Sequence, residues 1–486
     1  MNDALQMHQA SLNFGERPVS DARSMRFGDG VAVVCVVLIA PVALYVAHLA
    51  GPARLAYPAA NFLLAAYLYA RRSPWYFAQC LLLFCFAPFV RRLVDEQAGF
   101  DPSNPVLLTP YLCCLLSSAG FLSSWWARPS RYLTPILVLL LCILYGMAVA
   151  MLEGRVFASV LDAVKWSIGP LFAACLFAEY KRQPGIRRAV EGSLVWAGTA
   201  AGAYGIAQYI HPASWDVLWV QGVAQLGMTS LGNPDPFSLR VFSTMNSPGS
   251  FAMLMCAGIV IALKRRIPVT VLGVTLMGMG LALSQYRTVW AATAIAILLV
   301  FVSRPRTVRL GKLLALAGIG VVLSAGAVIP QIRESIANRA ASLTDLKGDE
   351  SFNSRLDQYR SLFDGDQGLI AGEGLAISGA SRRLDQQQRI VIDSGIIEIA
   401  RALGVLAGTA FLLALFALIA PLFGGVSASL PEVWFDRAIV VATFVQLPMG
   451  SVHMGELGFF AWVFLGLGLA ALRAAGTSPP IPESAR

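Results

Sequence analysis

The sequence predicts an all-α protein, a polytopic bundle of transmembrane helices, and three observations carry that expectation. Hydrophobic residues fill 57% of the 486 positions and charged residues only 13%, roughly half the charged share of a soluble domain. The apolar residues gather into runs close to the roughly 20 residues with which a helix crosses about 30 Å of hydrocarbon. No run alternates apolar and polar residues as outer-membrane barrel strands do, and an open sheet would leave backbone groups unpaired in lipid.

Taken in order, residues 1–30 read as a polar tail of mixed charge, with Asp3, Glu16, Arg17, Asp21, Arg23 and Arg26. This is not the pattern of a cleavable signal peptide, so Val31 to Ala50 is expected to remain as an anchor. Further spans are expected over 56–70, 75–90, 106–125, 132–152, 156–178, 190–210, 243–263, 267–285, 288–302, 312–330, 392–420, 436–450 and 456–473, about 12 to 14 in all. The expected organisation is a tail (1–30), a transmembrane bundle (31–330), a large loop (331–391), C-terminal transmembrane helices (392–473) and a second tail (474–486). The eight cysteines, from Cys35 to Cys256, lie in or beside apolar runs. No CxxC or Cys/His spacing marks a metal site, and no disulfide framework is expected.

Lysine and arginine in the short connections set the orientation, because cytoplasmic loops hold the excess. Arg71-Arg72, Arg128 with Arg131, Lys181-Arg182 with Arg187-Arg188, Lys264-Arg265-Arg266, and Arg304, Arg306, Arg309 and Lys312 fall in every second loop. Both termini are then cytoplasmic, and the long segments Arg91 to Pro105, His211 to Arg240 and Gln331 to Arg389 share the opposite face. The last carries Arg333, Arg339, Arg355, Arg360, Arg382, Arg383 and Arg389 where that rule expects few. An anionic ligand on that face explains them. So does pairing with Asp345, Asp349, Glu350, Asp357 and Asp364, since long loops translocate regardless of charge.

Arginine rather than lysine stands at two breaks facing that side. Arg240 precedes Phe242-Ser243-Thr244-Met245-Asn246-Ser247-Pro248-Gly249, and Arg287 sits in Ser284-Gln285-Tyr286-Arg287-Thr288. A guanidinium grips phosphate oxygens bidentately and keeps its charge when partly desolvated. A charge at a helix centre costs about 2.5 to 3.5 kcal/mol on insertion scales, so a partner or a function is expected. Snorkelling to the interface is the plainer reading of Arg287.

Within the loop, Phe352 to Phe363 reads as a short amphipathic helix with Asn353 as its N-cap and Leu356, Tyr359, Leu362 and Phe363 on one stripe. Arg355 then projects near the helix start, where free N–H groups also favour an anion. Asp364-Gly365-Asp366-Gln367-Gly368 lacks the ligands of a calcium loop at its third and last positions. Gly372-Glu373-Gly374 lacks the strand and third glycine of a dinucleotide loop and reads as a tight turn.

At the return into the membrane stand Ile392-Asp393-Ser394-Gly395 and the helix to Gly408. Asp393 is a candidate general base or, more simply, the cap of the helix beginning near Ser394. Glu398 lies three residues before Arg401 on the same face, where an ion pair competes with catalysis. His453, near Glu456, is a candidate second acid/base or an interfacial residue. Asp162 and Lys165, one turn apart, are expected to pair within the bundle.

An acid followed by a small polar residue, then aliphatics and a glycine eleven positions on (Asp393, Ser394, Gly404), resembles the signature of the O-antigen ligase and polymerase superfamily of bacterial membrane glycosyltransferases. The order of the other pieces is similar too: an Arg-Val-Phe-Ser stretch leading to Asn-Ser-Pro-Gly, a Ser-x-x-Arg-Thr break, an Arg-led helix in a large loop ending in Gly-Glu-Gly, then this motif. The resemblance covers about 236 to 420. It implies a GT-C-like fold acting without metal or cofactor on undecaprenyl-pyrophosphate-linked sugars at the periplasmic face of the inner membrane. Arg287 and Arg355 match its pyrophosphate-binding arginines and Asp393 its catalytic position; Arg240 is a further candidate for the pyrophosphate, and Glu398 and His453 are further candidates for acid/base chemistry.

Ligases of that family usually have histidine and asparagine where this chain has Asp393 and Ser394. The departure favours a polysaccharide polymerase over an O-antigen ligase. Expected partners are the lipid-linked donor and acceptor oligosaccharides, the bilayer, and a chain-length regulator and flippase of the same pathway, with no nucleic acid. The alternatives are a non-enzymatic lipid-linked oligosaccharide transporter and a silent assembly scaffold. Against the transporter, the chain shows no internal repeat, and its polar residues gather at one face.

Overall fold

The computed structural model describes residues 27–121, 132–227, 230–265, 267–303, 358–360, 368–378 and 392–476. Among them the regular elements are helices, and Gly232 with Leu239 forms an isolated antiparallel bridge. The protein is all-α. The helices of the first half are α1 (Phe27–Val46), α2 (Ala50–Ala70), α3 (Trp75–Ala98), α4 (Pro105–Phe121), α5 (Leu133–Leu152), α6 (Val156–Glu179) and α7 (Ile186–Ile210). Those of the second are α8 (Ser214–Gln225), α9 (Pro248–Ala262), α10 (Ile267–Leu283), α11 (Arg287–Ser303), α12 (Gly395–Ile419), α13 (Pro431–Phe444) and α14 (Gly455–Gly476). Six of them, α1, α3, α5, α6, α12 and α14, are long and apolar enough to cross a membrane, which makes this a multi-pass membrane protein by length and composition.

A helix stands at each expected span except 312–330, which lies outside the described residues. Two of the departures from expectation share one reason: charges predicted for loops are paired and buried. The helix expected to stop at residue 90 continues to Ala98, because Arg91 pairs with Asp95 at 3.0 Å and Arg92 with Asp216 at 3.0 Å. The expected loop His211 to Arg240 contains α8, which supplies Asp216. A polar residue extends a helix into a packed interior when its hydrogen bonds are met there.

The interior follows the packing rule of membrane helices, where small residues let backbones approach. The indole of Trp462 in α14 fills the space that a Cβ on Gly169 of α6 would need, and a Cβ on Gly466 would stand 2.7 Å from the Ala173 carbonyl oxygen. Between α7 and α10, a Cβ on Gly202 would stand 2.8 Å from the Leu276 oxygen. Helix α3 is enclosed by its neighbours, whereas α5 and α12 turn Leu141, Leu144, Leu406, Leu413 and Phe416 outward. An exposed leucine and phenylalanine face on a helix of this length suits lipid rather than water.

Candidate functional site

The residues of interest gather at one end of the bundle, where α9, α11, α12 and α14 begin. The segment before α9 is not free loop. Gln208 Oε1 accepts the N–H groups of Phe242 (3.2 Å) and Ser243 (2.8 Å), and Val241 N donates to the Leu283 carbonyl at 3.2 Å. The buried Arg92 donates to the Ser243 carbonyl while paired to Asp216, which also accepts the Tyr204 hydroxyl at 2.6 Å. Ser247 then caps α9, its hydroxyl accepting from Ser250 N at 3.2 Å, and Pro248 occupies the first turn, where its missing N–H costs nothing.

The expected break between α10 and α11 is present. Gln285 takes a left-handed φ of 54° and Ser284 Oγ accepts the Tyr286 N–H at 3.3 Å, so the chain turns within three residues and Arg287 opens α11. Arg240 fastens this break. Its guanidinium donates to the Ser230 carbonyl at 3.0 Å and to the Gln285 carbonyl at 3.4 Å. Arg240 therefore bridges the two motif segments, and Arg287 stands partly exposed at a helix start two residues from the carbonyl it holds. Arg355 lies outside the described residues, as does most of the expected amphipathic helix; residues 358–360 of it are helical.

Tyr286 links these arginines to the motif at α12. Its ring packs on Gly249, its hydroxyl lies against Gly450, and the Gly450 carbonyl accepts the Gly395 N–H at 3.2 Å. Here the structure corrects the simpler reading of Asp393. The cap of α12 is Ser394, in extended conformation with its Oγ accepting from Ile397 N at 3.3 Å, and Asp393 stands one residue outside it, partly exposed. The partial positive charge of the helix dipoles at the starts of α9, α11, α12 and α14 adds to that of Arg240 and Arg287, which suits a negatively charged ligand at this end.

Glu398 departs from expectation as well. Arg401 does not pair with it but with Glu373, at 2.6 Å from Nε and 2.5 Å from Nη2. Glu398 is buried instead, accepting from the Ser378 hydroxyl with Ser451 beside it. Lys165 and Asp162 do pair, at 3.1 Å, close enough to act on Glu398 electrostatically. His453 is buried rather than interfacial. Its ring packs edge-on to Trp166 at 4.2 Å, its carbonyl accepts from Trp462 Nε1 at 2.9 Å, and burial lowers its pKa from 6.5 to about 3. A neutral imidazole enclosed by aromatic rings is a poor proton acceptor at neutral pH. Glu456 is bound to Asn246 Nδ2 at 2.9 Å rather than to His453.

The Gly372-Glu373-Gly374 turn has a definite role. Gly404 interrupts α12 with φ 72° and ψ 177°, which takes nearby carbonyls out of the helical ladder. The turn supplies replacement donors: Glu373 N to the Arg401 oxygen at 2.7 Å and Gly374 N to the Ala402 oxygen at 3.0 Å. Gly372 and Gly374 are themselves left-handed, with φ of 82° and 79°, a region only glycine visits without strain. A Cβ on Gly372 would stand 2.5 Å from the Gly404 nitrogen. Arg155 completes the attachment by donating to the Leu375 carbonyl at 2.7 Å. The two ends of the sequence motif, Asp393 and Gly404, thus mark where α12 starts and where the 372–374 turn of the loop is stitched into it. No family model, curated protein or solved structure matches the chain.

Proposed function

We propose that the chain is a polysaccharide polymerase of the bacterial inner membrane. It joins undecaprenyl-pyrophosphate-linked repeat units of an O-antigen or exopolysaccharide at the periplasmic face by inverting, metal-independent glycosyl transfer on a GT-C-like scaffold. The observation that carries this reading is the meeting of 240–250, 284–287 and 392–395 at one end of the bundle, joined through Tyr286, Gly450 and Gly395.

In the proposed reaction the acceptor hydroxyl attacks the anomeric carbon of the donor. The new carbon–oxygen bond forms as the bond to the pyrophosphate oxygen breaks. Asp393 takes the hydroxyl proton, and the lipid pyrophosphate leaves as an anion. Arg287 and Arg355 stabilise the departing charge, with Arg240 holding the break that presents Arg287. Asp393 suits the base better than Glu398 or His453 because it is partly exposed at the site end, while those two are buried.

Loss of the gene should accumulate single lipid-linked repeat units. Long uncapped chains would instead assign the ligase reaction, and repeat units confined to the cytoplasmic leaflet would assign a transporter. Asp393→Asn keeps size and polarity but removes proton-accepting ability, and should lower turnover on the order of 100-fold. Full activity in that variant removes Asp393 from the chemistry. Reporter fusions within 331–391 should read periplasmic, and a cytoplasmic signal overturns the orientation.

A further inference from the structure

Asp393 stands before the cap of α12, so no helical hydrogen bond holds it, and its backbone N–H needs an acceptor from elsewhere. The acceptor is Gln358 Oε1 at 3.2 Å, in the helical turn 358–360 of the loop. The next residue makes a second attachment. The Tyr359 hydroxyl lies 2.7 Å from Ser394 Oγ and donates to the Pro448 carbonyl at 3.0 Å.

A phenol has one proton, and here it goes to Pro448, so Tyr359 accepts from the Ser394 hydroxyl. Ser394 in turn accepts from Ile397 N at 3.3 Å. The chain Ile397 N–H, Ser394, Tyr359, Pro448 runs in one direction, with each hydroxyl donating once and accepting once. Residues 393 and 394 are thereby gripped from the loop on one side, and through Gly395 N and the Gly450 carbonyl on the other.

We propose that Gln358 and Tyr359 are positioning residues that fix the backbone of Asp393 and Ser394, so that the Asp393 carboxylate meets the acceptor hydroxyl. The proposal rests on Asp393 being the base. These bonds matter to rate more than to folding, because a carboxylate displaced by about 1 Å can lose on the order of 100-fold in a proton-transfer reaction. A partly buried tyrosine at the edge of the bundle contributes little to the core beneath.

The test uses the purified full-length protein and the lipid-linked repeat units that accumulate in cells lacking it. Tyr359→Phe and Gln358→Met should each lower kcat by about 10- to 100-fold while KM stays within about 2-fold. Neither should lower the thermal midpoint by more than a few degrees. In an Asp393→Asn background, Tyr359→Phe should add no further loss, because a residue acting through the carboxylate has nothing left to position. A raised KM with unchanged kcat, wild-type kcat in both variants, or losses that multiply with Asp393→Asn each overturn the positioning role. If Tyr359→Phe fails to fold, Gln358→Met carries the test. Full activity of Asp393→Asn removes the base assignment and the positioning role with it, an outcome separate from those in which Asp393 matters and the clamp does not.

Discussion

At the end of the bundle away from the site, Arg187 donates to both carboxylate oxygens of the fully buried Asp436, at 2.9 and 2.8 Å, and also to Glu191 at 3.2 Å. Lys264 pairs with Glu191 at 2.5 Å, so α7, α9 and α13 are tied by one charge network, which Arg187 extends to the Leu467 carbonyl of α14 at 3.1 Å. At the site end the proposed catalytic and phosphate-binding groups are held differently. Asp393 and Arg287 are partly exposed, and the ties around them run through backbone groups and hydroxyls: Gln285 to Arg240, Asp393 to Gln358, Ser394 to Tyr359. A bidentate ion pair consumes the charges it contains. A hydrogen bond to the backbone fixes the chain's position and consumes no charge. The difference separates charges held in buried ion pairs from candidate groups seated on backbone and hydroxyl hydrogen bonds.

The comparison is sharpest at Arg287. Arg287→Ala should abolish chain extension, a loss on the order of 100-fold or more, with the protein still folded in the membrane. Arg287→Lys should recover little, because an ammonium lacks the planar fork. Near-normal chain length in Arg287→Lys would remove the bidentate role.

Asp436→Ala should do the reverse. It leaves the guanidinium of Arg187 without its main partner, which costs about 3 to 5 kcal/mol for a buried pair. The thermal midpoint in detergent should fall steeply, while turnover per folded molecule stays near wild type. Loss of turnover at unchanged stability would break the contrast between the two ends.

The smallest expected effect is the pH dependence contributed by His453. Burial lowers its pKa in the folded protein from 6.5 to about 3, so the unfolded chain takes up this proton first as pH falls. Stability from the neutral imidazole is complete above about pH 6.5 and declines below it, by at most about 1.4 kcal/mol per pH unit. Between pH 7 and 5 the wild-type midpoint should drop further than that of His453→Gln. Equal drops in the two proteins would mean that His453 is not held neutral.

The helical class, most helix positions and the break at Gln285 were legible in the sequence because each follows from local composition, capping residues and the length a bilayer demands, whereas α8 lay in an expected loop. The same local rules misplaced the end of α3 and the cap of α12. Asp393 and Ser394 are both capping residue types, and only the extended backbone at Ser394 decides between them. Glu398 and Arg401 had the spacing of an ion pair on one helix, yet Arg401 reaches Glu373, which is 28 positions away. Nothing near either residue signals that pairing.

The sequence by itself determined that this chain is helical, with several helices long and apolar enough to cross a membrane. Hydropathy over about 20 residues is a local property, and a bilayer enforces it without reference to the rest of the fold. Tertiary structure alone decided which charges pair in the interior and with which partner. Gly404 shows why. As a letter it marks a motif eleven positions after Asp393, but its function is to open the α12 backbone so that Glu373 and Gly374 can donate to the Arg401 and Ala402 carbonyls. A carbonyl released by a kink inside a membrane protein must find a donor from another segment, and which segment supplies it is fixed by packing, not by neighbours in the chain.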